Sequence, residues 1–144
     1  MVVTLSEVMD ATGFCATWVN GSTQNVSGSN QVTVTITDNG SNDLLTVTWN
    51  TCGAGVSHFG SVALNANYVS ATRSFGGSAN ADRSEVTWNP TTKQFTIQLG
   101  VPSGSTSTGV AASVPAYTPD TANLKDLAGN AIGAGPYSGT SSRF

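Results

Sequence analysis

Residues 31–37 read Gln-Val-Thr-Val-Thr-Ile-Thr, and residues 44–50 read Leu-Leu-Thr-Val-Thr-Trp-Asn. Apolar and polar side chains alternate at nearly every step. Val32, Val34 and Ile36 share one side of the first stretch, and Leu45, Val47 and Trp49 share one side of the second. A period of two belongs to an extended chain with one face buried and one face wet. The intervening Asp38-Asn39-Gly40-Ser41-Asn42-Asp43 is made of turn formers. The two stretches are therefore expected to pair as a hairpin. A sheet with one oily face needs a second layer to cover it, and this pattern calls for a second sheet.

The same pattern recurs along the chain. Glu85–Asn89 and Gln94–Leu99 flank Pro90-Thr91-Thr92-Lys93 and predict a second hairpin. Val2–Leu5, Phe14–Val19, Ser61–Leu64, Tyr68–Thr72 and Val110–Tyr117 are shorter candidates. Asn20-Gly21 after the second of these is a hairpin dipeptide. Pro115 would put the last of them at an edge or a bulge. Residues 52–60, 74–83 and 102–109 read as loops, and no stretch carries convincing helical periodicity. The expectation is one all-β domain over residues 1–132, an antiparallel β-sandwich of about seven to nine strands. Residues 133–144 form a Gly/Ser-rich tail, loose unless docked.

Composition narrows the function. Ser, Thr, Asn and Gly number 18, 20, 12 and 16, while charged residues make up only 9%, against about 25% in an ordinary globular protein. Five basic and eight acidic side chains leave a net charge of −3. No basic patch exists to displace counterions from a phosphate backbone, so a nucleic-acid partner is excluded. No apolar run approaches the ~20 residues of a membrane helix, so no membrane span is expected in this segment. The start, Met1-Val2-Val3-Thr4, lacks the basic and apolar regions of a signal peptide. A matured or excised segment with an added Met is expected.

Cys15 and Cys52 each sit beside a strand-like segment. With His58 as the one imidazole, they make a poor zinc set. The better reading is a disulfide closing a loop of about 38 residues, worth roughly 4 kcal/mol in the chain-entropy account. Two buried thiols are the alternative. A disulfide places the chain in an oxidising setting, extracellular or on a cell surface.

Two stretches carry more than texture. One is Val86-Thr87-Trp88-Asn89, a turn, then Phe95-Thr96-Ile97-Gln98-Leu99-Gly100. The other is Ala116-Tyr117-Thr118-Pro119 followed by Leu124-Lys125-Asp126-Leu127-Ala128-Gly129-Asn130-Ala131-Ile132. Together they resemble the C-terminal half of bacterial Ig-like domains, the modules of surface-layer proteins and large adhesins. Thr4-Leu5-Ser6-Glu7-Val8-Met9-Asp10 is weakly similar to the first strand of those domains. The resemblance implies an Ig-like sandwich, a structural or adhesive role in an exported bacterial surface protein or filament, and partners that are neighbouring domains or subunits of that assembly. It also raises calcium, which related adhesin modules bind at domain junctions.

The candidate ligands for such an ion are Asp120, Asp126 and Asn130. The plain account of Asp126–Asn130 is a turn, in which the Asp side chain bonds nearby N–H groups and Gly129 takes a positive φ. Ca²⁺ asks for six to eight oxygens, and neither these residues nor Asp38, Asn39, Asn42 and Asp43 have the density of a dedicated loop. The residues themselves call for no cofactor. Catalysis has little to work with. His58 lies near Ser57 and Ser61 without a nucleophile elbow, and Glu7 and Glu85 show no glycosidase spacing. No enzyme is expected. Lys93 and Lys125 could in principle join an isopeptide bond, although Lys93 falls in a turn. Trp18, Trp49 and Trp88 share parity with core positions and read as core. Tyr68 and Tyr137 are freer to be exposed. A carbohydrate-binding module with a glycan as its partner is thus the alternative function.

Overall fold

The computed structural model describes residues 1–52, 58–76 and 82–142. Ten strands run in chain order: β1 (Val2–Thr4), β2 (Gln24–Val26), β3 (Val32–Thr37), β4 (Leu44–Trp49), β5 (Gly60–Ala63), β6 (Arg73–Phe75), β7 (Glu85–Asn89), β8 (Gln94–Gln98), β9 (Ala116–Pro119) and β10 (Tyr137–Ser138). One helical turn, α1 (Ala11–Phe14), lies between β1 and β2. The strands form two antiparallel sheets, one ordered β1-β8-β7-β2 and the other β10-β9-β5-β4-β3-β6. The chain is an all-β sandwich.

The alternating stretches do what their period demands. β3 pairs with β4 so that Val34 faces Val47 and Ile36 faces Leu45. β7 pairs with β8 so that Val86 faces Ile97 and Trp88 faces Phe95. All eight side chains are buried. The Thr residues between them take the other face. The second hairpin turns locally: the Asn89 side-chain oxygen accepts from the N–H groups of Thr91 (2.9 Å) and Thr92 (3.2 Å).

Other expectations are corrected. Phe14–Val19 is not a strand. Asp10 caps α1, its carboxylate accepting from Thr12 N–H at 3.0 Å, and the buried residues here are Ala11, Phe14, Cys15 and Trp18 while Ala16 is exposed. That spacing is i, i+3, i+4, i+7, a helical period. The segment carries the chain from one edge of the four-stranded sheet (β1) to the other (β2). It buries Phe14 against Trp88 (5.2 Å between ring centroids) and Phe95 (5.0 Å), and Trp18 flat on Trp49 (5.9 Å). Its rings therefore meet both sheets and plug the sandwich. Tyr68–Thr72 is likewise no strand: Tyr68 and Val69 are buried, and β6 begins at Arg73. The strand read over Val110–Tyr117 is shifted to β9. Three unforeseen strands appear, β2, β10 and β6, the last taking Ser74 and Phe75 from the segment read as a loop. Within residues 133–142, Tyr137 pairs with Tyr117, Ser138 with Ala116, and Ser142 bridges to Ser113.

Cys15 and Cys52 form a disulfide, with Cα atoms 4.9 Å apart. The bridge ties the crossover after α1 to the single 3-10 turn (Asn50–Cys52) that follows β4 in the other sheet. The loops read over residues 52–60 and 74–83 fall in part outside the described residues.

Candidate functional site

The three candidate calcium ligands fall into two hydrogen-bonded sets. Asp126 closes its own loop: Oδ1 accepts from the N–H groups of Ala128 (2.8 Å) and Asn130 (2.8 Å), and Oδ2 accepts from the Asn130 amide (2.8 Å). The Asn130 side-chain amide, with that backbone N–H next, holds the Asp126 carboxyl below its ordinary pKa. Gly129 completes the turn at φ +89°. Asp120 belongs to a different knot. Its Oδ2 accepts from Asn123 Nδ2 (2.7 Å) and meets His58 Nδ1 at 3.2 Å, while Oδ1 accepts from Ala122 N–H (3.1 Å). Slight burial works to raise the Asp120 pKa, but the hydrogen bonds from Asn123, His58 and Ala122 together bring it down. The structure thus joins Asp126 to Asn130 and sets Asp120 with His58 and Asn123. Among the described residues no three His, Cys, Asp or Glu side chains cluster around a cation position.

The other chemistry-bearing residues are also dispersed. Ser57 lies outside the described residues, and Ser61 is in the β5–β9 ladder opposite Thr118. Glu85 accepts from Asn25 Nδ2 at 2.7 Å on the exposed face of β7. Lys93 donates from Nζ to the Ser6 carbonyl at 2.8 Å. In the first hairpin turn, Asp43 is fully buried. Its Oδ2 accepts from the N–H groups of Tyr68 (2.6 Å) and Val69 (2.9 Å), and Oδ1 from Asn39 N–H (3.2 Å). It ties the hairpin turn to the loop at Tyr68 and Val69.

All three Trp residues are core, Trp18, Trp49 and Trp88 being 5%, 0% and 1% exposed; strand parity accounts for Trp49 and Trp88, whereas Trp18 is buried on the helical spacing and its parity mate Ala16 is exposed. Tyr68, expected to be free, is buried at 6%, and among the described residues Tyr137 is the one aromatic that is exposed, at 49%. Tyr117 is buried as well, its hydroxyl donating to the Phe59 carbonyl at 2.6 Å. Burial, with the nearby Asp120 carboxylate adding to it, pushes the Tyr117 phenol well above its ordinary pKa.

A well-formed opening lies away from these side-chain clusters. A groove of about 560 Å³ runs beside β1, between the edge of the small sheet and the β9–β10 end of the large one. One wall is the consecutive stretch Met1–Glu7, and the floor includes Met9, Val62, Tyr117 and Ile132, with Tyr137 at the far wall. Asp126 and Asn130 stand on its rim. A sequence signal existed: Val2-Val3-Thr4-Leu5 has none of the Lys or Pro residues that usually blunt an exposed edge.

Comparison with known proteins gives no match: no family model, no curated protein and no solved structure is similar to the chain.

Proposed function

We propose that this chain is a structural or adhesive Ig-like module of a larger exported bacterial cell-surface protein or filament. The observation that carries the reading is the Cys15–Cys52 bridge between the two sheets' segments. Such bonds persist in oxidising compartments. The polar exterior fits the same setting: the outer faces of β3 and β4 are Thr-rich and those of β7 and β8 mix Thr with Glu, Asn and Gln, leaving half-buried hydroxyls and amides with few charges, which suits hydrogen bonding to neighbouring subunits. The resemblance of Tyr117-Thr118-Pro119 and Asp126–Asn130 to bacterial Ig-like modules points the same way. No helix among the described residues is long and apolar enough to cross a membrane.

Antibodies raised against the folded chain test the proposal. They should label intact cells of the source organism and detect the chain in the material sheared from the cell surface. Labelling only after the cells are made permeable would overturn it. A second reading, a carbohydrate-binding module, rests on Tyr137, whose ring stands half-exposed beside the groove. Retention on an insoluble polysaccharide that disappears in Tyr137→Ala would decide for it.

A further inference from the structure

The ladder between β1 and β8 determines which backbone groups of β1 are used. Leu5 N–H donates to the Lys93 carbonyl (2.9 Å), and Met1 and Ile97 exchange both bonds. Hydrogen-bonded pairs alternate along an antiparallel ladder. Met1, Val3 and Leu5 therefore spend their N–H and C=O groups on β8, while those of Val2 and Thr4 point the other way. Among the described residues no strand lies on that side, since β1 ends the sheet. Val3 is paired with Phe95, whose side chain is core, so the side chains of Met1, Val3 and Leu5 turn inward to the groove. A free row of main-chain donors and acceptors thus runs along an apolar trough about 13 Å long over five extended residues.

Such an edge recognises an extended peptide: the main chain supplies affinity and alternate side chains supply choice. The charge around it narrows the occupant. The groove is lined by the carboxylates of Glu7 and Asp126 and by no Lys or Arg side chain, and the Met1 ammonium at its edge is already engaged by the Ile97 carbonyl at 2.6 Å. The Asp126 oxygens are engaged by their own loop, whereas Glu7 is exposed and has no hydrogen bond or ion pair among the described residues. A second copy would bring a further net charge of −3 to a rim that already carries Glu7 and Asp126.

We propose that the β1 edge is an acceptor site for an extended segment of another polypeptide in the assembly. That segment adds to the four-stranded sheet by pairing with Val2 and Thr4, turns alternate apolar side chains onto Val3, Val62 and Tyr117, and sets a Lys or Arg against Glu7. The inference rests on the assembly reading above and names its partner.

The test uses the whole oxidised chain and fluorescent heptapeptides read by anisotropy. Thr-Val-Thr-Val-Thr-Val-Lys should bind. The same peptide ending in Glu should bind about 10-fold more weakly, and one N-methylated at alternate amides should lose binding by ~10-fold or more. Thr4→Pro removes an outward N–H that no native strand uses. It should weaken the Lys peptide by about 10-fold without moving the melting temperature, and Glu7→Gln should bring the Lys and Glu peptides level. If the Lys peptide fails to bind, if N-methylation or Thr4→Pro leaves binding unchanged, or if sedimentation shows that this face pairs two copies instead, the proposal is overturned. Surface labelling of intact cells is a separate readout, so a failed acceptor site is distinguishable from a failed assembly role.

Discussion

The carboxylate of Asp43 is completely buried, and three backbone N–H groups from Asn39, Tyr68 and Val69 converge on it. Asp43→Ala would strand the Tyr68 and Val69 donors in the interior. The expected loss is about 3 kcal/mol, or a melting temperature lower by roughly 10 °C, read by thermal denaturation; an unchanged melt would refute that role. The exposed carboxylates act differently. Asp10 is held below its ordinary pKa chiefly by the Thr12 hydroxyl, with the Asn20 amide and Thr12 N–H helping against slight burial. Asp120 and Asp126 are lowered as well, by the bonds described above. A carboxylate with a depressed native pKa adds stability that is complete above its unfolded value, ~3.9, and is lost as pH falls through the native value. Melting temperature should therefore be steady near neutrality and drop below about pH 4. The Asn variants of Asp10 and Asp126 should flatten that drop, and a melt that ignores acid in the parent chain would contradict the assignment.

At the scale of the element, β5 and β9 depend on one glycine. Gly60 pairs with Pro119 and has φ +98°, a region that side chains rarely adopt. A Cβ there would run into the Thr118 carbonyl oxygen, with Asp120 N and Pro119 C each 2.9 Å away. Gly60→Ala should cost about 3 kcal/mol, combining the left-handed strain with backbone overlap. The denaturant midpoint would show it, and amide exchange should quicken first in the β5–β9 ladder; equal exchange across both sheets would argue against a local effect. The crossover from β1 to β2 shows the reverse situation, a short element held by its surroundings. Phe14, Ala16 and Trp18 look like one face of a strand in isolation. The Asp10 cap and the Ala11, Phe14, Cys15, Trp18 spacing carry a competing helical pattern, and contact with Trp88, Phe95 and Trp49 selects it. Four residues of helix are too few to be stable alone, which is why propensity gave so little warning.

For the molecule as a whole, the disulfide joins the plug to the far sheet. Closing 37 residues of sequence separation restricts the unfolded chain, and reduction should remove about 4 kcal/mol, lowering the melting temperature by roughly 13 °C. Melting with and without reductant, with alkylation and mass measurement to confirm the thiol state, checks this. Coincident melts would mean the rings around Phe14 and Trp18 hold the crossover unaided.

The two long hairpins were legible because their information is local. Val34, Val47, Val86 and Ile97 fall on buried faces through a period of two that any half-solvated strand must carry, and Asp38–Asp43 and Asn89–Lys93 supply turns between neighbours in sequence. The bridge was legible from two cysteines and the absence of other partners for them. The rest lay in contacts between distant residues. Asp43 reads as a turn former until Tyr68 and Val69 arrive over it. Asp120 and Asp126, candidates for one site, are drawn into separate loops by Asn123 and Asn130. The groove at β1 exists because the small sheet ends at Val2–Thr4 while β9 and β10 stand across from it. Side-chain alternation settles which face of a strand meets water; which strand is left at an edge, and what stands opposite, depends on how the whole chain closes its two layers.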